Sequence, residues 1–265
     1  MNIIIPMAGM GKRLRPHTLT VPKPLLPIAG KPIVQRLVED IAVVCNQAVD
    51  EIAFVVGEFG EEVERRLLAI AESVGARGRI CYQHEALGTA HAVLCAAESL
   101  HGNVVVAYAD TLFRADFRLD VGQEAIVWVQ QVPDPSAFGV VSLGGAGEIT
   151  GFVEKPQSFV SDLAIIGIYY FRDGAALRHE LEYLVENNIQ VKGEYYLTDA
   201  IENLRQKGTK FVPGRVEEWL DCGNKVATVE TNQRYLEFIR DTDLVAQSAK
   251  LVNSVLIPPV FVGEN

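Results

Sequence analysis

The chain has 265 residues, 49% of them hydrophobic and 22% charged, and a formal net charge of −10. That composition lies near the globular average and supports a sizeable core. The acidity speaks against general binding to nucleic acid or to anionic membranes, both of which call for a basic surface.

Residues 3–6 form a short run of β-branched residues closed by a proline, and predict a buried strand. Ile33, Leu37, Ile41 and Val44 recur at helical spacing. The chain then predicts a strand at 52–56, a helix marked by Val63, Leu67 and Ile70, a strand at 79–83, a helix at 90–99 and a strand at 104–107. Strands alternating with helices of about 10–15 residues predict an α/β fold with a doubly wound, mostly parallel sheet. After Asp110 the rhythm changes. Strands are predicted at 125–132, 139–143, 149–154 and 164–171, with antiparallel pairing, and helices at 175–186, 195–207 and 225–240. No Gly/Ser-rich or charged linker divides the halves, so residues 1–240 read as one domain and 241–265 as a tail. The tail ends "LVNSVLIPPVFVGEN". Its apolar residues Leu251 and Ile257 are six apart, and Val262-Gly263 looks like the opening of a hexapeptide β-helix turn. One coil of such a solenoid cannot bury its own apolar face. It would have to pack on the domain, meet a neighbour or continue; an ordinary terminal strand is the alternative reading.

No apolar run reaches the ~18 residues of a membrane span. The chain opens on Asn2-Ile3-Ile4-Ile5 and not on a basic segment ahead of an apolar one, so a soluble, cytoplasmic protein is expected. Cys45, Cys81, Cys95 and Cys222 form no Cys-x-x-Cys pair and read as buried free thiols.

The first 38 residues contain no Asp or Glu but six cations: Lys12, Arg13, Arg15, Lys23, Lys31 and Arg36. They surround "PMAGMGKRLRPHTLTVPKPLLPIAGKP". A strand followed by a glycine-rich turn suits a phosphate, because glycine lets backbone N–H groups approach an anion. A P-loop would place its first glycine at Pro6, and the dinucleotide fingerprint would place its third at Leu14, so both fail. What remains is Gly-x-Gly-x-Arg followed by Pro22-Lys23-Pro24. The prolines fix φ and hold Lys23 in a stiff loop aimed at a charge.

This stretch resembles the signature of the sugar-1-phosphate nucleotidylyltransferases, the glucose-1-phosphate thymidylyltransferase type in particular. "YQHEALGTAHAV", "VVVAYADT", "FGVV", "GFVEKP", "GEYYLTDAI" and "EWLDCGN" follow in the family's order, over roughly residues 1–235. One departure is Ala109, where the family usually has Gly before its first aspartate. The resemblance implies a Rossmann-like nucleotidyltransferase fold. It also implies a reaction: nucleoside triphosphate plus sugar 1-phosphate gives nucleotide-sugar plus pyrophosphate. The nucleophile is a phosphate whose second pKa is about 6, so no general base is needed. The demand is electrostatic, met by positioning and preorganised cations.

By the same resemblance, the backbone of Ala8, Gly9 and Gly11 and the side chain of Arg13 hold the β- and γ-phosphates. Lys23 meets the α-phosphate or the leaving pyrophosphate. Asp110 and Asp221 hold Mg²⁺ between the reacting phosphates, a cation that takes one or two carboxylates. Lys155 binds the sugar's phosphate, Glu154 accepts from sugar hydroxyls, and the backbone at Gly139 and Ile166 lines the sugar. Gln83 has one acceptor and two donors, enough to read the imide edge of thymine or uracil, with Gly88 offering backbone; dTTP and UTP both fit. Lys12 and Arg15 read as solvated, and His91 as capping or packing. The partners implied are the two substrates, with neither nucleic acid nor membrane and self-association open. Two alternatives stand: a non-catalytic nucleotide-sugar-binding regulatory subunit, and a nucleotidylyltransferase for a non-sugar phosphate such as phosphocholine.

Overall fold

The structure, a computed structural model, describes residues 1–116 and 118–264. Its centre is β1 (Asn2–Pro6), whose three isoleucines are fully buried. Parallel strands flank it: β4 (Glu51–Val56) with β5 (Arg77–Tyr82) beyond it, and β6 (Val104–Ala107) on the other side. Two short strands, β2 (Pro27–Ile28) and β3 (Lys31–Pro32), form a separate antiparallel hairpin. The helices between are α1 (Ile33–Cys45), α2 (Glu61–Ser73) and α3 (Thr89–Leu94).

A ribbon strand, β7 (Thr111–Arg114), opens the second half. It is followed by β8 (Ala125–Gln131), β9 (Gly139–Leu143), β10 (Ile149–Glu154) and β11 (Leu163–Phe171). Strand β11 runs antiparallel to β6 and extends the sheet to the order β10-β9-β11-β6-β1-β4-β5, with β8 also on β11. The last elements are α4 (Gly174–Glu186), α5 (Leu197–Gln206), β12 (Phe211–Arg215), β13 (Glu218–Asp221) and α6 (Lys225–Phe238). The sheet is thus mixed and mostly parallel on its first half, an α/β fold. The core divides by strand parity, as a period of two requires. Ile3, Ile5, Phe54 and Val105 pack toward α1, and Ile4, Val55, Val104 and Val106 toward α3, α4 and α5.

Five strands escape the sequence reading: the two-residue β2 and β3, and β7, β12 and β13. Strand β12 contains Pro213 and Gly214, poor strand formers, yet pairs with β8 in parallel. The helix expected at 90–99 stops at Leu94, tightens, and resumes as a single turn at Ala97–Ser99. There Ser99 is fully buried and donates from Oγ to Glu51 Oε1. Two thiols are buried, but Cys81 and Cys95 are only half-buried. Among the described residues no β-helix coil forms in the tail; Asn265 lies outside them. The chain is irregular from 251 to 261, and its one sheet contact is a parallel bridge of Val262 to Val245. Phe261 instead packs its ring on Gly30, where a Cβ would have no room. No helix among the described residues is long and apolar enough to cross a membrane.

Candidate active site

Past the end of β1, Met7 N–H still donates to Val55 O (2.8 Å), and the chain then turns out across the carboxyl ends of the strands. Ligands of open α/β sheets bind there. Gly11 is left-handed (φ 57°), and a Cβ on it would lie 2.9 Å from Lys23 Cβ and 3.0 Å from Thr18 Cγ2. Thr18 Oγ1 donates to Gly11 O at 2.8 Å. Glycine is therefore what lets the Lys23 loop close on the turn. Gly9 is different: a Cβ there would meet nothing within 4 Å, so its backbone simply stays open to the cleft.

The cleft has a volume of about 660 Å³. Its wall takes Ala8, Gly9, Gly11, Arg13 and Lys23 from the opening segment, Gln83 and Gly88 from the loop between β5 and α3, and Asp110 from beyond β6. The six early cations divide. Lys12 is exposed, in keeping with a solvated cation, at the rim of the cleft beside Arg13 and Lys23, where the turn at Gly11 carries it. Lys31 pairs with Glu39 on α1. Arg36 is buried, donates to Ile28 O (2.6 Å) and Ala29 O (2.7 Å), and lies 4.0 Å over the Tyr235 ring. It is a fastening of the hairpin, not a phosphate ligand.

Asp110 and Asp221 meet through the two-stranded ribbon that the sequence reading missed. Strand β13 runs antiparallel to β7 with Asp221 opposite Thr111, one residue past Asp110, and Cys222 N–H donates to Asp110 O at 2.8 Å. Burial raises the Asp221 pKa. Gly223 N–H, which donates to Asp221 Oδ1 at 2.8 Å, opposes the rise, the Asp110 charge adds to it, and Lys23 and Arg13 oppose it. Lys23 Nζ stands 2.6 Å from Asp110 Oδ2 with only 11% of its side chain exposed. Asp221 is not on the cleft wall itself, but it lies close enough to feel the charges of Asp110 and Lys23, so two hard oxygen donors are held near each other with an ammonium on one of them, an arrangement that fits a bound cation. Among the described residues no group of three or more His, Cys, Asp or Glu could cage a metal. Any cation here would complete its shell from ligands and water.

On the base side, Gly88 (φ 103°) opens α3, and a Cβ there would lie 2.5 Å from Tyr195 O and 2.7 Å from Tyr195 N. Tyr195 N–H donates to Leu87 O, Ala90 N–H to Tyr195 O, and Leu197 N–H to Thr89 Oγ1, so the loop is pinned to the start of α5. Gln83 Nε2 lies 3.2 Å from Gly88 O and 3.1 Å from His91 Nδ1. His91 is therefore engaged with Gln83 and does more than cap.

Gly139, Glu154, Lys155 and Ile166 do not line the main cleft wall; the first three cluster next to it. Gly139 faces Glu154 across β9 and β10, and a Cβ on it would lie 3.0 Å from Glu154 Oε2. Thr198 Oγ1 donates to the same oxygen at 3.1 Å. Lys155 Nζ is 3.5 Å from Glu154 Oε1 and 5.0 Å from the Tyr196 ring centroid. Ile166 is buried, and its carbonyl already accepts from Thr111 Oγ1 at 2.5 Å. Tyr108 joins the two regions. It lines the cleft, its pKa is pushed up chiefly by burial, and the charges of Glu154 and Asp110 reinforce that. The sequence reading assigned no role to Tyr108, Thr198 or Glu194, which also lines the cleft. Their only signal was membership in "VVVAYADT" and "GEYYLTDAI".

The fold and the cleft define a class: an α/β protein with cations, open glycine backbone and paired acids at the carboxyl end of a parallel sheet, suited to a polyphosphate. The chain belongs to the nucleotidyl transferase family, whose model matches residues 2–237. The low-salt glycan biosynthesis nucleotidyltransferase Agl11 of Haloferax volcanii is 31% identical over 245 residues, covering 89% of this chain and 66% of that one. A glucose-1-phosphate thymidylyltransferase of Streptomyces antibioticus is 30% identical over 99% of this chain and 78% of its own length. A UDP-glucose pyrophosphorylase solved with UDP-glucose superposes with a TM-score of 0.73 at 23% identity, covering 89% of this chain and 98% of that one, which speaks to the fold.

Proposed function

We propose that this chain transfers a nucleotidyl group from dTTP or UTP to a sugar 1-phosphate, releasing pyrophosphate, with Mg²⁺ held by Asp110 and Asp221. The observation that carries the reading is the meeting of Lys23, Asp110 and Asp221 beside an open glycine turn. Binding a nucleotide-sugar alone would not call for that set, which weighs against a purely regulatory subunit. Mg²⁺ suits two carboxylates with phosphates and water completing its shell, and when bound it supplies charge neutralisation between the two phosphates.

The protein's own groups do the rest. The Ala8–Gly11 backbone and Arg13 hold the β- and γ-phosphates; Arg13 stays charged and can bond two oxygens at once. A sugar-phosphate oxygen bonds to the α-phosphorus, the bond from that phosphorus to the bridging oxygen breaks, and the electron pair leaves on pyrophosphate. Lys23, drawn off Asp110, neutralises that developing charge. Lys155 takes the sugar's phosphate, and Glu154, oriented by Thr198 and crowded by Gly139, accepts from sugar hydroxyls. Ile166 contributes by fixing Thr111 opposite Asp221, since its carbonyl is already used. Residues 1–240 carry all of these groups, with 241–265 as an appended tail. The protein acts as a soluble cytoplasmic enzyme.

Pyrophosphate release, screened with dTTP, UTP, CTP, ATP and GTP against a panel of sugar 1-phosphates and phosphocholine, tests this. Turnover with an imide base and a sugar 1-phosphate is expected. Turnover only with phosphocholine, or none with any pair while a nucleotide-sugar still binds, would overturn it.

A further inference from the structure

Gln83 leaves β5 and turns its carboxamide onto α3. A carboxamide nitrogen carries two protons, and a backbone carbonyl only accepts. The 3.2 Å contact to Gly88 O therefore fixes which end of the amide is nitrogen. The second proton points at His91 Nδ1, 3.1 Å away. That contact is a hydrogen bond only when the ring is neutral with its proton on Nε2. Burial lowers the His91 pKa and so favours the neutral ring; Glu85 is the charge that opposes this.

We propose that His91 is a positioning residue: it locks Gln83 in the amide orientation that presents only an acceptor to the cleft, and so sets the preference for an imide base over cytosine. This rests on Gln83 reading the base, as proposed above. With both protons spent inside the protein, Gln83 Oε1 is what remains for the ligand. The imide N3–H of thymine or uracil donates to it. Cytosine offers N3 as an acceptor at that place, so acceptor would meet acceptor. Without His91 the amide keeps a single anchor, the Gly88 carbonyl, and rotates more readily to show its NH₂ to cytosine. His91 thus acts mainly by rejecting the wrong base. No partner across the cleft is needed for this, since Gly88 and His91 both belong to the loop and helix that follow β5.

The test uses the full chain and calorimetric titration with dTTP and dCTP near pH 7.5, on wild type, His91→Leu, His91→Asn and Gln83→Leu. Wild type is expected to favour dTTP by about tenfold or more, the worth of one hydrogen bond. His91→Leu should shrink the ratio to about threefold or less, mainly by tightening dCTP. His91→Asn, whose Oδ1 can replace Nδ1 as acceptor, should keep the wild-type ratio. An unchanged ratio in His91→Leu, alongside a collapsed one in Gln83→Leu, overturns the role of His91 and leaves base reading intact. An unchanged ratio in Gln83→Leu, or no discrimination by wild type, overturns base reading and the lock together. Nitrogen-15 NMR of wild type gives a check that no variant can confound. The His91 ring should carry its proton on Nε2, and a proton on Nδ1 would overturn the inference.

Discussion

Asp221→Asn separates a functional carboxylate from a structural one, because the two roles predict opposite signs in stability. The substitution keeps the oxygen that accepts from Gly223 N–H and leaves the backbone pairing of Asp221 with Thr111 untouched. It removes a buried charge whose pKa is raised by burial and further by Asp110. The sign follows from linkage. An acid with a raised folded pKa binds more protons folded than unfolded, so wild-type stability falls as pH rises from the ordinary carboxylate range through the raised value. The variant lacks that slope. Relief of like-charge repulsion, about 1 kcal/mol, raises the melting temperature near pH 7.5 by about 2–4 °C for a chain this size. Catalysis goes the other way. A unit charge about 4 Å from a cation at an effective dielectric of 20 is worth about 4 kcal/mol, or roughly a thousandfold in rate. The assays are differential scanning fluorimetry without added metal and pyrophosphate release with Mg²⁺. Turnover within fivefold of wild type, or a melting temperature lowered by more than 5 °C, would refute the reasoning.

Three further outcomes are expected. Asp40, on α1, has its pKa pushed up to about 7 by burial, with one oxygen lacking a partner. By the same sign, wild-type stability should fall between about pH 4 and 7. Asp40→Asn should flatten that fall and gain about 1–2 kcal/mol at pH 8, read from denaturant melts. Gly88→Ala should cost about 2–3 kcal/mol, because the added methyl meets fixed backbone at Tyr195 and the left-handed φ suits only glycine. It should also raise the KM for the triphosphate about tenfold, read from initial rates. Arg13→Ala should leave the melting temperature unchanged and lower kcat by about a hundredfold, whereas Arg36→Leu should lower the melting temperature by about 5–10 °C with the KM of the folded fraction unchanged. Exchanged phenotypes would reverse the division of cations drawn here.

What the sequence made legible was what local pattern encodes. The three isoleucines of β1, the alternation of strands and helices up to Asp110, and the glycine turn each depend on neighbours within a few residues. The ribbon of β7 and β13 does not. Four residues, Thr111–Arg114, are too few for a period of two to stand out, and their partner lies more than a hundred positions away. The tail was less legible. Its sixfold apolar spacing suggests a solenoid, whereas among the described residues it is irregular and Phe261 packs on the bare backbone of Gly30, a contact made across more than two hundred positions. Gln83 was legible as a polar group in a motif, but its orientation was not. His91 was expected to cap or pack beside that segment, but which atom it would meet depends on how the first turn of α3 faces Gln83, and no local pattern encodes that.

The acid-free opening therefore serves two separate demands. One set of cations, Lys12, Arg13 and Lys23, faces the cleft, and Lys23 pairs there with Asp110. The Lys23–Asp110 contact keeps a half-buried carboxylate from remaining uncompensated before substrate arrives, at no cost in a third residue. The other set fastens the stage: Arg36 satisfies two carbonyls of the β2–β3 hairpin, and Lys31 pairs on α1. An acid in the Gly9–Lys23 segment would draw Lys23 or Arg13 away from the cleft and repel the incoming phosphates at once. A single physical requirement, positive potential across one loop, thus accounts for both the missing carboxylates and the rigid prolines that hold Lys23 in place.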